Sequence, residues 1–147
     1  MDANKFTQKS LQAVQNAQNT AVEYGNPELT VLHIAHALME RDGLIFRILK
    51  RTGADADGFA SALRDAVERL PRTSGGSQPY ATPAVSRLLS EAEKLAEGMK
   101  DSYISVEHLF LCLFDNDERG LKELFARFGI TKNSFLAGLK EVRGNQN

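Results

Sequence analysis

The sequence lacks several features that would each indicate a class of protein. Its 147 residues include one cysteine, no tryptophan and four prolines. A single cysteine cannot form an intrachain disulfide, which excludes a small secreted fold stabilised by disulfides. No segment approaches the roughly 18 consecutive apolar residues that span a bilayer, and the amino terminus has no apolar signal-peptide core. We therefore expect a cytoplasmic protein that does not bind membranes.

The sequence also has no excess of charge of one sign. Residues 1–70 carry 8 lysines and arginines against 9 aspartates and glutamates, and residues 71–147 carry 10 against 10. Nucleic-acid binding depends on clustered basic residues, so no nucleic-acid partner is expected. Apolar residues make up 42% of the chain, which is enough for one domain with a self-sufficient core.

Helical periodicity is present throughout the chain, and strand patterns are scarce. Apolar residues recur at three- and four-residue steps after Thr7, Thr30, Asp55 or Asp57, and Thr82. Threonine and aspartate are good N-caps, and glycines or prolines follow the periodic segments as stop signals. The sequence therefore predicts an all-α fold.

The two halves of the sequence repeat the same pattern. Thr7, Thr30 and His33 match Thr82, Ser105 and His108 at an offset of 108 − 33 = 75 residues. After the turns at residues 42–43 and 115–118 the offset becomes 129 − 53 = 76, as between Gly53 and Gly129. A repeated supersecondary unit buries its apolar face against its neighbour. We therefore predict eight helices, arranged as two tandem four-helix repeats with pseudo-twofold symmetry.

The repeat pattern also predicts the organisation of the chain. Residues 1–144 form a single domain, with the first repeat at residues 6–70 and the second at 82–143. The segment 71–81 is rich in proline, glycine and serine and is expected to be a flexible connector. Residues 144–147 are expected to begin a linker.

Two short segments resemble the paired signature of the Clp amino-terminal repeat family. Residues 30–33 (TVLH) and 105–108 (SVEH) each have a polar cap and a histidine three residues later. The flanking segments are most similar to the ClpB branch of that family, namely residues 6–10, 49–53, 69–71 and 101–105. The resemblance covers essentially the whole chain.

The resemblance implies a binding domain that precedes two AAA+ ATPase modules, with no catalytic residues and no cofactor of its own. ATP, magnesium and a homohexamer would belong to the parent protein, because this sequence contains no GxxxxGK[ST] phosphate loop. The implied function is capture of unfolded or aggregated client proteins for a disaggregase. The alternative is docking of adaptor proteins, as in ClpA- and ClpC-like unfoldases.

The resemblance also implies that Thr7, Asp101 and Glu107 contribute to substrate binding. Each has a structural alternative: Thr7 as an N-cap, Asp101 as a turn residue, and Glu107 as an acid in the first turn of a helix. An apolar client requires an exposed apolar groove, and the candidates for its walls are Leu88, Leu89, Leu95 and Tyr103, with Tyr80 as a further candidate. Apolar residues at helical spacing are usually core.

Three further readings are weaker. Clp relatives that recognise phosphorylated arginine carry a glutamate in both signatures. In this sequence the second signature has Glu107, but the equivalent position of the first signature is Leu32. A metal site at His33, His36 or His108 lacks the companions that zinc requires. A small hydrolase using Cys112 and His108 is a third function class, disfavoured because Cys112 lies in an apolar run.

Overall fold

The computed structural model describes residues 2–74 and 78–144. Within these ranges the chain forms eight α-helices and confirms the all-α class. After a short 3-10 helix at Ala3–Lys5, they are α1 (Gln8–Glu23), α2 (Val31–Leu38), α3 (Leu44–Arg51), α4 (Ala56–Glu68), α5 (Pro83–Gly98), α6 (Val106–Leu113), α7 (Leu121–Arg127) and α8 (Lys132–Gly144). Residues 75–77 of the predicted connector and 145–147 of the predicted linker lie outside the described residues. The domain limits remain a prediction.

The equivalent helices α1 and α5 begin with the same backbone geometry. Thr7 caps α1 with φ −66° and ψ 161°, and Thr82 caps α5 with φ −67° and ψ 161°. Each threonine hydroxyl accepts a hydrogen bond from the backbone N–H three residues later. Gly53 and Gly129, which follow α3 and α7, both have positive φ, a conformation that glycine adopts without steric cost. The repeat is therefore present in the local structure as well as in the sequence.

Two short parallel pairings relate the repeats to each other. β1 (Glu28–Leu29) pairs with β2 (Tyr80–Ala81), which places Leu29 opposite Ala81. A second bridge joins Phe6 to Ile104. These pairings are reciprocal, because Phe6 and Ala81 are 81 − 6 = 75 residues apart and Leu29 and Ile104 are 104 − 29 = 75 apart. A reciprocal contact is what a pseudo-twofold axis between the repeats requires.

The core lies around α2 and α6, which the other helices surround. Residues 31–35 of α2 and residues 107–113 of α6 are all buried. Phe110 packs against Phe135 of α8 and Phe125 of α7, with ring centroids 4.7 Å and 5.8 Å apart. Phe59 of α4 stacks on Phe125, so one aromatic cluster joins helices from both repeats. No helix in the described parts of the chain is both long enough and apolar enough to cross a membrane.

Candidate functional site

The signature histidines hold the turns before α2 and α6. The Thr30 N–H donates to Nδ1 of His33 over 2.9 Å, and the Ser105 N–H donates to Nδ1 of His108 over 2.8 Å. Both rings are fully buried. Because Nδ1 accepts a hydrogen bond from a backbone N–H in each case, the ring proton lies on Nε2. Burial lowers the pKa of His33 to about 4. These histidines are therefore structural caps of their helices.

Asp101 and Glu107, two of the predicted binding residues, share one guanidinium group. Nη2 of Arg143 donates to Asp101 Oδ2 over 2.9 Å and to Glu107 Oε2 over 3.0 Å. Asp101 Oδ2 also accepts from Nε2 of His108 over 2.7 Å. Burial opposes ionisation of Asp101, but the hydrogen bonds from Arg143 and His108 outweigh it and hold the pKa of this carboxyl below its usual value. Asp101 therefore joins the turn before α6 to Arg143 of α8.

Glu107 is 8% exposed, which leaves little of its carboxylate for a client. Burial opposes its ionisation, but the Ser105 hydroxyl, its own backbone N–H and Arg143 outweigh that cost and lower its pKa. Its counterpart Leu32 is also buried, at 1% exposure. The two positions that would together receive phosphorylated arginine are therefore a paired acid and a core leucine.

Thr7 lies beside the Phe6–Ile104 bridge. Its hydroxyl accepts from the Ser10 N–H over 3.1 Å, and its own N–H donates to the Ile104 carbonyl over 3.0 Å. The Ser10 hydroxyl donates to the same carbonyl over 2.6 Å. Thr7 thus joins the start of α1 to the turn before α6, and its side chain remains half-buried.

An open cleft of about 320 Å³ lies at this junction between the repeats. We call it the inter-repeat cleft; it is lined by Asp2, Lys5, Phe6, Ser86, Leu89, Ser90, Glu93 and Ile104. Lys5 and Glu93 form an ion pair at its polar rim. Tyr103, which precedes Ile104, is 55% exposed. Of the predicted binding residues, the structure places Leu89 in this cleft. Thr7 and Tyr103 do not line it, but they are next in sequence to Phe6 and Ile104, which do.

Three other apolar candidates do not line the inter-repeat cleft. Leu88 is fully buried, because adjacent helical residues point about 100° apart and Leu88 faces the core; it offers no surface to a client. Leu95 is half-buried and packs against the core. Tyr80 is 62% exposed, but it lies on β2, where its hydroxyl donates to Glu28 over 3.3 Å.

A larger groove, of about 640 Å³, lies between α1, the end of α2 and the start of α3. We call it the first-repeat groove; Asn16, Ala37 and Val106 are among the residues that line it. The sequence did not predict this groove, because all the apolar residues proposed to bind a client lie in the second repeat or the connector. The one available signal was the turn after α2, which is shorter by one residue than its counterpart after α6.

The alternatives involving cysteine and metal find no support in the geometry. Cys112 is buried, and burial raises the pKa of its thiol to about 11, so the thiol is protonated at neutral pH. Nε2 of His108 is bonded to Asp101 and its Nδ1 to Ser105. Among the described residues, no group of three or more histidine, cysteine, aspartate or glutamate side chains could hold a metal ion.

Comparison with known proteins points to one family. The family model described as the Clp repeat (R) N-terminal domain matches residues 5–128. Chaperone protein ClpB of Bacillus anthracis is 36% identical over 151 residues, and that of Nitratidesulfovibrio vulgaris is 37% identical over 152 residues. Each alignment covers 99% of this chain, but the chain spans only 17% and 18% of those two relatives.

Solved structures agree on the fold. The Hsp104 N-terminal domain from Candida albicans superposes with a TM-score of 0.86 at 21% identity, covering 95% of this chain and 92% of that one. The N-domain of ClpV in complex with a VipB peptide superposes with a TM-score of 0.71 at 24% identity, covering 88% and 81%. At these identities the likeness concerns the fold alone.

Proposed function

Because the chain belongs to the Clp repeat N-terminal domain family, we propose that it is the amino-terminal substrate-binding domain of an ATP-dependent disaggregase. It captures exposed apolar segments of unfolded or aggregated proteins and passes them to an attached AAA+ motor. ATP, magnesium, the homohexamer and the cytoplasmic location belong to the parent protein in this proposal. The domain itself binds and does not catalyse.

The observation that carries the proposal is the inter-repeat cleft. Leu89 forms a half-buried apolar wall there, and Phe6 and Ile104 lie at its base. The backbone around these two residues is fixed by the bridge between them and by the hydrogen bonds of Thr7 and Ser10 to the Ile104 carbonyl. A preformed apolar surface with a polar rim suits weak binding of many apolar sequences, since little ordering is needed on the side of the receptor.

Docking of adaptor proteins is the second candidate. The ClpV N-domain, which shares this fold, was solved with a VipB peptide, and a defined partner segment of that kind would bind more specifically than an unfolded client. The two functions differ in what competes for the site. An unfolded client is displaced by any apolar unfolded chain, whereas an adaptor is displaced only by its own docking segment.

The test is a titration of the isotopically labelled protein with reduced, carboxymethylated α-lactalbumin, which is permanently unfolded. We expect chemical-shift changes clustered at Phe6, Leu89 and Tyr103. The double variant Leu89→Ser with Tyr103→Ser should weaken binding, because it removes the apolar wall of the cleft at Leu89 and the exposed aromatic ring that precedes Ile104. Val22→Ser is the matched control, because Val22 is 49% exposed on α1 and lines neither cleft nor groove.

Two results would overturn the proposal. One is a set of shift changes that avoids the inter-repeat cleft, and the other is equal weakening by the cleft variant and the Val22 control. Shifts at Asp101 and Glu107 without shifts at Leu89 would instead support a polar client site, which requires Arg143 to release its two carboxylates.

A further inference from the structure

The repeats differ in length at the turn that follows their second helix. In the second repeat, Asn116 folds back between α5 and α6 and is 2% exposed. Its Nδ2 donates to Glu91 Oε1 and to the Cys112 carbonyl, both over 2.8 Å. A carboxamide therefore fills the space between these two helices and satisfies a helix carbonyl.

Two residues later, Glu118 completes the same closure. Its Oε1 accepts from the Val31 N–H over 3.1 Å and from the Thr82 hydroxyl over 3.0 Å. The carboxylate thus bridges the first turn of α2 and the cap of α5, where the positive end of a helix favours an anion. The chain segment 116–118 supplies a carboxamide and a carboxylate to one site.

The equivalent site in the first repeat has the receiving groups without these two side chains. Subtracting 75 from Glu91 and Cys112 gives Asn16 and Ala37, and adding 75 to Val31 gives Val106. All three equivalents line the first-repeat groove. Apart from hydrogen bonds within helices, no hydrogen bond is made within the described residues by the side chain of Asn16, the carbonyl of Ala37 or the N–H of Val106. The fourth receiving group, Thr82, corresponds to Thr7, whose hydroxyl instead donates to Ser10 Oγ over 2.9 Å.

The turn of the first repeat lines this groove through Glu40 and Asp42, but within the described residues neither side chain has a hydrogen bond to Asn16, Ala37 or Val106. It is one residue shorter, and Glu40, Arg41 and Asp42 are all exposed. Lys9 lines the groove two residues after Thr7, where the second repeat has Ala84. Glu40 lies 4.0 Å from Lys9, at the limit of an ion pair, so this cation is free to meet another acid. The end of the groove nearest Thr7 therefore suits a carboxylate.

We propose that the first-repeat groove binds a partner protein segment that carries a carboxamide two residues before a carboxylate, in the pattern Asn/Gln-x-Glu/Asp. The carboxamide donates to Asn16 and to the Ala37 carbonyl. The carboxylate accepts from the Val106 N–H, with Lys9 beside it. This site and its ligand differ from the apolar inter-repeat cleft, so the inference goes beyond the proposed function.

The probe is a synthetic peptide with the sequence of residues 113–120, acetylated and amidated, because that segment occupies the equivalent site within the chain. Titrated into the labelled protein, it should shift the Asn16 side-chain amide and the backbone amides of Ala37 and Val106. A peptide with alanine in place of the asparagine and the glutamate should bind at least about tenfold more weakly, because it loses hydrogen bonds of both groups.

Protein variants test the receiving side. Asn16→Ala should weaken binding of the peptide about fivefold, the value expected for one hydrogen bond. Lys9→Ala should weaken it and reduce its salt dependence. Asn19→Ala is the matched control, since Asn19 is an exposed asparagine on the same helix outside the groove. All three substitutions are at exposed helix positions, so folding should be retained.

Equal binding of the two peptides, absence of binding at millimolar concentration, or shifts confined to the inter-repeat cleft would each overturn this inference. None of these outcomes bears on the proposed function, which is read from an unfolded client at Leu89. Conversely, failure of the unfolded client to bind leaves the peptide titration unchanged. The two proposals therefore fail separately.

Discussion

His33 and His108 occupy equivalent positions in the two repeats, but the acceptors of their Nε2 protons differ in charge. His33 bonds to the Asn26 amide oxygen over 2.9 Å, and His108 bonds to the Asp101 carboxylate over 2.7 Å. Asn26 and Asp101 are themselves 101 − 26 = 75 residues apart. The same geometry thus contains a neutral pair in the first repeat and a charge-assisted pair in the second, where Arg143 balances the carboxylate.

Acid should destabilise the protein well before its carboxylates are protonated. The pKa of His33 is lowered by burial from 6.5 to about 4, so between these pH values the unfolded state binds more protons than the folded state. Stability from the neutral ring is complete above pH 6.5 and is lost as pH falls towards 4. The full effect is about 3 kcal/mol. Urea unfolding measured from pH 7 to pH 4.5 should show this decline, and a flat profile would contradict it.

Asn26→Asp should raise the pKa of His33, because a carboxylate would then face Nε2. The variant should also lose about 2 kcal/mol of stability at pH 7, since Asn26 is 3% exposed and the first repeat has no counterpart of Arg143. The equivalent position holds the apolar Val67, at an offset of 143 − 67 = 76. An NMR titration of the His33 ring and urea unfolding measure the two effects. Asn19→Asp, at an exposed position, is the control and should change neither.

Arg143→Met should destabilise the protein by about 2 kcal/mol at pH 7, because it leaves the buried carboxylate of Glu107 and that of Asp101 without their cation. Methionine retains most of the apolar stem. The loss should be smaller in a Glu107→Gln background, and the difference gives the coupling energy of the pair. Lys140→Met, also on α8 but exposed, should have little effect. Equal losses in both backgrounds would show that the pair is not coupled.

The helices could be predicted from the sequence because their signals are local. Thr7, Thr30 and Thr82 each cap the helix whose apolar pattern follows them, and Asp55 proves to be the cap of α4. The repeat followed from the spacing of those signals. The strands could not be predicted, because each has two residues and too few positions to show alternation.

The candidate site was less accessible to sequence reasoning, because its contacts join distant residues. Arg143 reaches Asp101 and Glu107 from 42 and 36 residues away, and no pattern in the sequence connects α8 with the turn before α6. To choose among Leu88, Leu89 and Leu95, one must know how α5 is rotated about its own axis. The spacing of three apolar residues determines that orientation only coarsely. The use of these residues in binding remains a prediction.

Glu118→Ala should cost about 1 kcal/mol, because the Val31 N–H and the Thr82 hydroxyl lose their shared acceptor. Glu118→Gln should lose less, since its amide oxygen can still accept from one of them. Chemical denaturation measures both, with Glu123→Ala on the exposed face of α7 as the control. If both variants are as stable as the wild type, the closure of the second repeat does not depend on the Glu118 side chain.

Truncation of Leu88 should mainly reduce stability, whereas truncation of Leu89 should mainly reduce client binding, although the two residues are adjacent and were both predicted to bind clients. Leu88→Ala removes a fully buried side chain and leaves a cavity, so we expect a loss of about 3 kcal/mol. Leu89→Ala removes a half-buried side chain at the inter-repeat cleft, so it should cost less than about 1 kcal/mol. Its larger effect should be on binding of unfolded α-lactalbumin. Since each variant controls for the other, unfolding and binding measured on both separate core from surface. Weakened binding by folded Leu88→Ala, with binding by Leu89→Ala unchanged, would place the client on a different face of α5.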